Sequence, residues 1–261
     1  LCEELSHDVK GVASRWAMSG PMSLTGEPSG PPRQVPVGVT LRMEELAVMI
    51  GEITGLLIDG PALLGERAAV AGYTRQGSRS VGGHAQLVKS ADKPICINFA
   101  RPDDLRLIPA WLQEEINPDN RAKLLLSLKK YESQRLMEQA DLLGIPLGVP
   151  DTEEYEYPAH LIEGKPSKKR AETTLVIEFG SLWASPLCGD LLRRSGCRVI
   201  KIESLSRPDG ARRGAPGFFD LLNGGKESLS VDFSDDKSLE FLKKILKEAD
   251  VIIEGSRPRA L

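Results

Sequence analysis

The segment TTLVIEFGSLWASPLCGDLLRRSGCRVIKIES, residues 173–204, decides the fold class of this chain. Two apolar runs, Leu175–Ile177 and Val199–Ile202, enclose a helical stretch, and a third run, Val251–Ile253, follows a second helical pattern. Short apolar runs rich in β-branched residues that alternate with helices are typical of a buried parallel sheet. We therefore expect an α/β fold, with a Rossmann-like parallel sheet wound by helices in residues 173–261 and a smaller α+β unit before it.

The residues that follow these strands carry the candidate binding groups. Ligands of wound parallel sheets bind at the carboxyl ends of the strands. There the sequence places a small-residue turn at 181–186, arginines in the loop 206–214, a Gly-Gly-Lys run at 224–226 and a Ser-Arg pair at 256–257. Arginine forks and close backbone N–H groups suit a phosphorylated, nucleotide-like ligand. The same residues also fit a tight turn without a ligand and a surface loop of mutually compensating charges, and residue types alone do not decide.

The composition of the 261 residues argues against several classes of protein. A net charge of −3 gives no attraction to nucleic acid or to a membrane, and no apolar run has the length of a transmembrane helix. The four cysteines lack C-x-x-C spacing, which predicts reduced thiols in a cytoplasmic protein. The three histidines show no metal-ligand spacing, so no metal is expected.

Residues 1–150 are predicted to form the smaller α+β unit. Helical spacing covers residues 41–57, two strands are expected near 86–89 and 95–99, and one long helix is expected over 118–143. Residues 151–172 are polar and lack periodicity, so they are interpreted as a linker to the domain 173–261. The chain has no initial Met and stops after a strand, which predicts a fragment of a longer polypeptide.

The order of motifs in residues 174–259 resembles the class III CoA-transferase family, which includes the α-methylacyl-CoA racemases and the carnitine and formyl-CoA transferases. The matching segments follow the family in both order and spacing: Trp183–Pro186, Val199–Glu203, Pro208–Gly210, Leu222–Lys226 and Ala249–Glu254. The resemblance implies that these turns bind coenzyme A, that an acyl-CoA and a carboxylic acid are the substrates, and that the protein is a homodimer.

The resemblance also implies which residues bind coenzyme A. The turn after the first strand is expected to line the pantetheine or the thioester, and residues of the later loops are expected near the adenosine diphosphate. The implied residues are Leu182, Trp183, Ala184, Ser185, Arg207, Arg212, Asn223, Lys226, Gly255 and Ser256.

The catalytic carboxylate of the family is not found in this chain. Residues 17–32 resemble the family segment that precedes the catalytic aspartate, but the following stretch 35–41 reaches no carboxylate before Glu44. Glu44 and Glu45 are expected in the first turn of a helix, where acids are common. The catalytic residues are therefore unknown. The expected function is CoA transfer between an acyl-CoA and a carboxylic acid, with this chain supplying mainly the CoA-binding part.

Two alternatives stay open within this reading. An acyl-CoA racemase of the same family would use a His and an Asp to move the α-proton. A non-catalytic CoA-binding homologue is favoured by the missing aspartate. A Rossmann-type dehydrogenase is disfavoured, because the turn 180–189 lacks the G-x-G-x-x-G pattern.

Overall fold

The computed structural model describes residues 9–33, 37–150 and 173–255. Contacts divide the chain into a parallel-sheet unit, formed by residues 1–21, 36–72 and 163–261, and an antiparallel-sheet unit, formed by residues 22–35 and 73–162. The predicted boundaries at 1–150, 151–172 and 173–261 instead assign residues 36–72 to the first domain, and they stay a prediction. The predicted linker, 151–172, lies outside the described residues.

The helices and strands are numbered here in chain order. The described helices are α1 Val9–Met18, α2 Val37–Thr54, α3 Gly60–Ala71, α4 Pro102–Arg106, α5 Ile108–Leu112, α6 Arg121–Leu128, α7 Ser133–Leu143, α8 Ala184–Arg194, α9 Phe218–Asn223 and α10 Asp236–Glu248. The described strands are β1 Ala85–Lys89, β2 Pro94–Asn98, β3 Leu147–Gly148, β4 Leu175–Glu178, β5 Arg198–Ser204, β6 Glu227–Val231 and β7 Val251–Ile253. Short 3₁₀ turns cover Pro21–Leu24 and Gly210–Arg213.

The parallel sheet has the strand order β6-β5-β4-β7, and every neighbouring pair is parallel. Residues 176–178 of β4 and 199–203 of β5 are all buried, although successive side chains point to opposite faces. Both faces of these two strands are therefore covered, which confirms the predicted α/β class with a parallel sheet. The strands follow the order 3-2-1-4 of doubly wound sheets, so the direction of the connections reverses between β4 and β7.

Helix α10 shows why this part of the sequence folds onto the sheet. Its apolar residues recur at helical spacing, and Leu242 is buried against Ile177, Ile202 and Val231 of the strands. The helix begins where the Asp235 carboxylate accepts the N–H of Ser238 at 2.8 Å, a standard N-cap bond.

The antiparallel sheet has the order β1-β2-β3, and the two predicted strands near 86–89 and 95–99 are confirmed as its first pair. Its core is formed by buried side chains of β2 and of helices α5 to α7. Trp111 lies at the centre of this core, 2% exposed, and its indole N–H donates to the Leu136 carbonyl at 2.9 Å.

The single helix predicted over 118–143 is wrong, because α6 ends at Leu128 and α7 begins at Ser133. The cause is a contact with the turn between β1 and β2. The N–H and hydroxyl of Ser133 donate to the Asp92 carboxylate at 2.7 and 2.9 Å. The backbone donation from Ser133 holds the pKa of Asp92 well below its usual range. This distant carboxylate fixes a new helix start at Ser133.

The helix predicted over 41–57 is found as α2, but it begins at Val37 and ends at Thr54. Glu44 therefore lies inside the helix, which corrects the expectation that it belongs to the first turn. The next helix, α3, begins at Gly60 and Pro61, because the Asp59 carboxylate accepts the N–H of Ala62 at 3.1 Å and proline is well suited to a first helical turn.

Candidate functional site

The turn between β4 and α8, residues 179–183, lies at the centre of the carboxyl edge of the parallel sheet. Leu182 has a φ of +71°, in the left-handed region that non-glycine residues rarely adopt. Its N–H donates to the Asp209 carboxylate at 3.0 Å, and this bond stabilises the unfavourable backbone conformation. The Leu182 side chain is 54% exposed, so it lies at the rim of the edge and adds nothing to the core.

Helix α8 presents two backbone donors at the same edge. Its N-cap residue, Trp183, supplies no side-chain acceptor. Pro186 has no N–H, and the Leu187 N–H already donates to the Trp183 carbonyl at 2.8 Å. Within residues 173–255, no acceptor contacts the N–H groups of Ala184 and Ser185. The partial positive charge of a helix start favours an anion or a carbonyl oxygen at such donors.

Two glycines allow the backbone to approach the start of α8 closely. Gly180 follows β4 and Gly255 follows β7, the neighbouring strands between which the connections reverse direction. A Cβ atom at Gly180 would lie 1.9 Å from the Ser185 Cβ, and one at Gly255 would lie 2.7 Å from its hydroxyl oxygen. This reversal point is where doubly wound sheets bind their ligands.

A buried ionic cluster of four side chains, Glu178, Lys201, Asp209 and Lys226, lies directly beneath the turn. Each of the four side chains is at most 1% exposed. The Lys201 ammonium lies 2.9 Å from the Asp209 carboxylate and 3.3 Å from Glu178 Oε1. It also donates to the Gly180 carbonyl at 2.8 Å. Burial raises the pKa of Asp209, but hydrogen bonds from Ala211 and Lys201 outweigh it and the pKa falls below its usual value.

The Lys226 ammonium, which was expected near a diphosphate, is enclosed by protein groups. It donates to Glu178 Oε2 at 2.7 Å, to the Pro186 carbonyl at 2.8 Å and to Asn223 Oδ1 at 3.0 Å. An ammonium has three N–H groups, so each has an acceptor within the chain. Burial lowers the pKa of Lys226, and the Glu178 carboxylate acts in the opposite direction. Asn223 is itself fixed, because its amide donates to the Phe219 carbonyl at 2.9 Å.

Arg212 is held by a forked ion pair with Glu203. Its guanidinium donates to the two carboxylate oxygens at 3.0 and 2.6 Å and lies 3.7 Å from the centroid of the Phe219 ring. Hydrogen bonding from Arg212 is the main cause that lowers the pKa of Glu203, against the effect of burial. The Arg212 side chain remains 43% exposed, so part of the guanidinium reaches the rim of the edge.

The remaining predicted residues lie at the rim or beyond the described residues. Arg207 is exposed, and within residues 173–255 it makes no ion pair. Gly255 is exposed next to Ser185, whereas Ser256 lies outside the described residues. The structure thus brings the turn 182–185 and Gly255 together above the buried ionic cluster. The binding roles of all ten predicted residues stay predictions.

Sequence reasoning assigned no role to Glu178, Lys201 or Asp209. A signal for the first two was present in the sequence, because each is a charged residue within or directly after an apolar β-branched run. A charge in a strand that is buried on both faces requires a buried partner. No local pattern identifies those partners, since they come from neighbouring strands and from separate loops.

Glu44 and Glu45, the first acids after the segment 35–41, are both engaged in ion pairs. Glu44 accepts two hydrogen bonds from the Arg15 guanidinium, at 2.7 and 3.3 Å. Glu45 pairs with Arg42 at 2.6 Å. A carboxylate held in a two-point pair is a poor nucleophile until the pair opens.

Two cavities in the described part of the chain are lined by residues other than those of the carboxyl edge. One, of about 140 Å³, lies in the antiparallel-sheet unit between β1, β2 and α6, and the other, of about 710 Å³, is lined by α1, α2 and the start of α3. Within the described ranges no group of three or more metal-ligating side chains is found. No helix of those ranges has both the length and the apolar character needed to cross a bilayer.

Comparison with protein families matches residues 172–261 to "CoA-transferase family III". Two curated relatives show the same similarity. The (R)-2-hydroxy-4-methylpentanoate CoA-transferase of Clostridioides difficile is 34% identical over 101 residues, and the formyl-CoA:oxalate CoA-transferase of Escherichia coli O6:H1 is 31% identical over 93 residues. These matches cover 34% and 33% of this chain and 25% and 22% of the relatives. The chain therefore spans about a quarter of the length of the curated relatives that it matches.

A search of solved structures finds a CAIB/BAIF family protein from Brucella suis, with 20% sequence identity and a TM-score of 0.36. The match covers 53% of this chain and 47% of that one. The α/β assignment therefore rests on the strand order and burial described above.

Proposed function

We propose, on the premise that residues 172–261 match CoA-transferase family III, that the carboxyl edge of the parallel sheet binds the CoA part of an acyl-CoA. The parent protein would transfer CoA between an acyl-CoA and a carboxylic acid. The observation that carries this proposal is the start of α8, where two N–H donors without an acceptor lie between Gly180 and Gly255 at the reversal point of the sheet.

The geometry suggests how the parts of CoA would be held. The N–H groups of Ala184 and Ser185 would donate to a carbonyl or phosphate oxygen, and the two glycines would leave room for the narrow pantetheine chain. Arg207 and the exposed part of Arg212 lie on the loop after β5, where guanidinium groups would pair with phosphates of the nucleotide. Lys226 would not contact the CoA, because its three N–H groups already have acceptors. It would support the first turn of α8 from beneath, through the Pro186 carbonyl.

We propose that this chain supplies binding and that the nucleophile of the transfer belongs to another part of the parent protein. The transfer requires a carboxylate that attacks the thioester and leaves CoA free to move to a second acid. Glu44 is paired with Arg15, and Glu178, Glu203 and Asp209 are buried and paired with cations. A non-catalytic CoA-binding homologue is the second candidate, favoured by the same pairing of Glu44.

Calorimetric titration of the chain with CoA, with a variant at the start of α8, tests the proposal. Ala184→Asp places a negative charge in the first turn of α8, where it stabilises a helix but repels an anionic ligand. We expect this variant to keep its melting temperature and to bind CoA at least tenfold more weakly than the natural chain. The matched control is Ala122→Asp, the same change at an exposed residue in the first turn of α6.

The control should bind CoA as the natural chain does. The proposal is wrong if the natural chain shows no CoA binding, or if both aspartate variants bind CoA with unchanged affinity. A homodimer and a cytoplasmic location also stay proposals, and light scattering in solution tests the first of them.

A further inference from the structure

We propose that Lys201 is a positioning residue, which fixes the CoA-binding turn of this chain without touching the ligand. The proposal rests on the proposed function of the same edge. Lys201 comes from the middle of β5, and its side chain is 1% exposed. Its ammonium contacts three separate segments: the Gly180 carbonyl at 2.8 Å, the Asp209 carboxylate at 2.9 Å and Glu178 at 3.3 Å.

The turn after β4 is held on both of its sides. Lys201 holds the Gly180 carbonyl, while Asp209 accepts the N–H of Leu182, two residues further along. The ion pair between Lys201 and Asp209 joins these two contacts, and the three interactions together form a clamp that holds residues 180–182. A left-handed conformation at a leucine is costly and persists only where the surroundings enforce it. The clamp supplies that enforcement, and it fixes the direction in which α8 starts.

The other half of the cluster holds the first turn of α8. Glu178 lies between the two lysines, with Oε1 toward Lys201 and Oε2 toward Lys226. Lys226 in turn holds the Pro186 carbonyl in the first turn of α8. The start of α8 is thus fixed from the turn before it and from its own first turn, through one shared carboxylate.

Neither lysine of the cluster is placed to bind the ligand directly. The Lys201 ammonium donates to the Gly180 carbonyl and to Glu178 and lies 2.9 Å from the Asp209 carboxylate, and each N–H group of Lys226 has an acceptor within the chain. Neither can donate to a phosphate unless a buried carboxylate loses its partner, which is strongly unfavourable. The four charges of the cluster sum to zero, so the cluster presents no net charge to an anion. Its effect on CoA must therefore pass through the geometry of the turn.

Stability alone does not account for the cluster. Buried ion pairs contribute little net stability compared with apolar residues of similar volume, because desolvation offsets their attraction. A cluster of this size beneath a strained turn is better explained by the conformation that it specifies. Removal of one positive and one negative member together should leave a folded chain with a loosened turn.

The test uses the double variant Lys201→Met with Asp209→Asn, which removes both members of one ion pair, leaves Glu178 paired with Lys226 and keeps the net charge of the cluster at zero. We expect amide hydrogen exchange at Leu182, followed by nuclear magnetic resonance, to accelerate at least tenfold, while Val176 and Ile177 of the sheet core remain protected. CoA binding by calorimetry should weaken at least tenfold. The matched control is Arg198→Met with Glu227→Gln, which removes an exposed ion pair at the amino ends of β5 and β6. In that pair Arg198 Nη2 donates to Glu227 Oε2 at 2.8 Å.

A second variant, Asp209→Asn, keeps an acceptor oxygen for the Leu182 N–H but removes the charge that pairs with Lys201. This variant decides the question if the double variant does not fold. Here the Leu182 amide proton should shift upfield, since its acceptor is no longer a carboxylate. Positioning is overturned if Leu182 exchange and its amide shift stay unchanged in the variant that folds. Absence of CoA binding in the natural chain would instead count against the proposed function, while the exchange result still decides the role of Lys201.

Discussion

Gly180 shows at the residue scale how closely the candidate site is packed. Substitution by alanine would place a Cβ atom 1.9 Å from the Ser185 Cβ, so the start of α8 would have to move. We expect Gly180→Ala to lower the free energy of unfolding by about 1–3 kcal/mol, the usual range for overpacking, and to weaken CoA binding. Thermal unfolding followed by circular dichroism, together with calorimetric titration, measures both effects.

The control for this change is Gly38→Ala in the first turn of α2. A Cβ atom there would meet nothing within 4 Å. Alanine also favours a helix over glycine, so the melting temperature should stay the same or rise. Equal behaviour of the two variants would contradict the close approach of Gly180 to Ser185.

The residue types predicted which loops carry charged side chains, but not which of these side chains form ion pairs with one another. Lys226 was a reasonable anion ligand on its sequence context, a lysine after two glycines. Its buried partner Glu178 lies 48 residues earlier, and no local pattern connects the two. Gly180 and Leu182 show the same limit, because the strain at Leu182 depends on a carboxylate from the loop after β5.

Helix α6 and the segment that follows it contain a pH-sensitive contact at the scale of the elements. The Tyr131 hydroxyl donates to Glu114 at 2.6 Å, and this hydrogen bond is the main cause that lowers the pKa of Glu114 to about 2. The carboxylate form is thus favoured by the folded chain. Its contribution to stability is present above the ordinary pKa of 4.5 and is lost as the pH falls from there toward 2.

We therefore expect Tyr131→Phe to lower the melting temperature at neutral pH and to make its decrease between about pH 4.5 and pH 2 shallower. Asp92, whose pKa is also lowered, titrates in both proteins and leaves a residual slope. Tyr73→Phe, at an exposed tyrosine of the same unit, serves as the control. Parallel curves for the natural chain and Tyr131→Phe would show that Tyr131 does not set the pKa of Glu114.

Element boundaries were predictable only where local chemistry sets them. The caps at Asp59 and Asp235 lie within three residues of the N–H groups that they accept, so sequence can reveal such starts. The start of α7 depends on Asp92, which lies 41 residues before Ser133, and the apolar periodicity runs across the break. A single long helix was therefore the natural but wrong prediction.

The parallel sheet was predicted from three apolar runs, which correspond to β4, β5 and β7. Helices between the runs predicted parallel neighbours, and the expected burial is found in β4 and β5, whereas Val251 and Ile252 of β7 are exposed. The position of β7 beside β4, which places Gly255 next to Ser185, requires a long-range pairing that no local pattern encodes. The family resemblance supplied the site residues, and its recognition is confirmed over residues 172–261.

At the scale of the molecule, the state of the carboxylates predicts how the chain treats an acyl-CoA. A transfer through the family mechanism leaves CoA joined to an enzyme carboxylate as a thioester, with the acyl group passed on. Glu44 is held by Arg15, and the buried acids of the carboxyl edge are each paired with a cation. We expect the chain to bind CoA yet to form no covalent CoA adduct when mixed with formyl-CoA or succinyl-CoA.

Intact-mass spectrometry measures this outcome, with a full-length formyl-CoA:oxalate CoA-transferase of Escherichia coli treated in parallel as the positive control. Arg15→Ala removes the partner of Glu44 and is the second protein to compare with the natural chain, because the pair with Arg15 is the structural reason why Glu44 is expected not to react. If the natural chain gained the mass of CoA at a carboxylate, the division between a binding segment and a nucleophile elsewhere would be wrong. An adduct in Arg15→Ala alone would show instead that the pair with Arg15 suppresses a reactive glutamate.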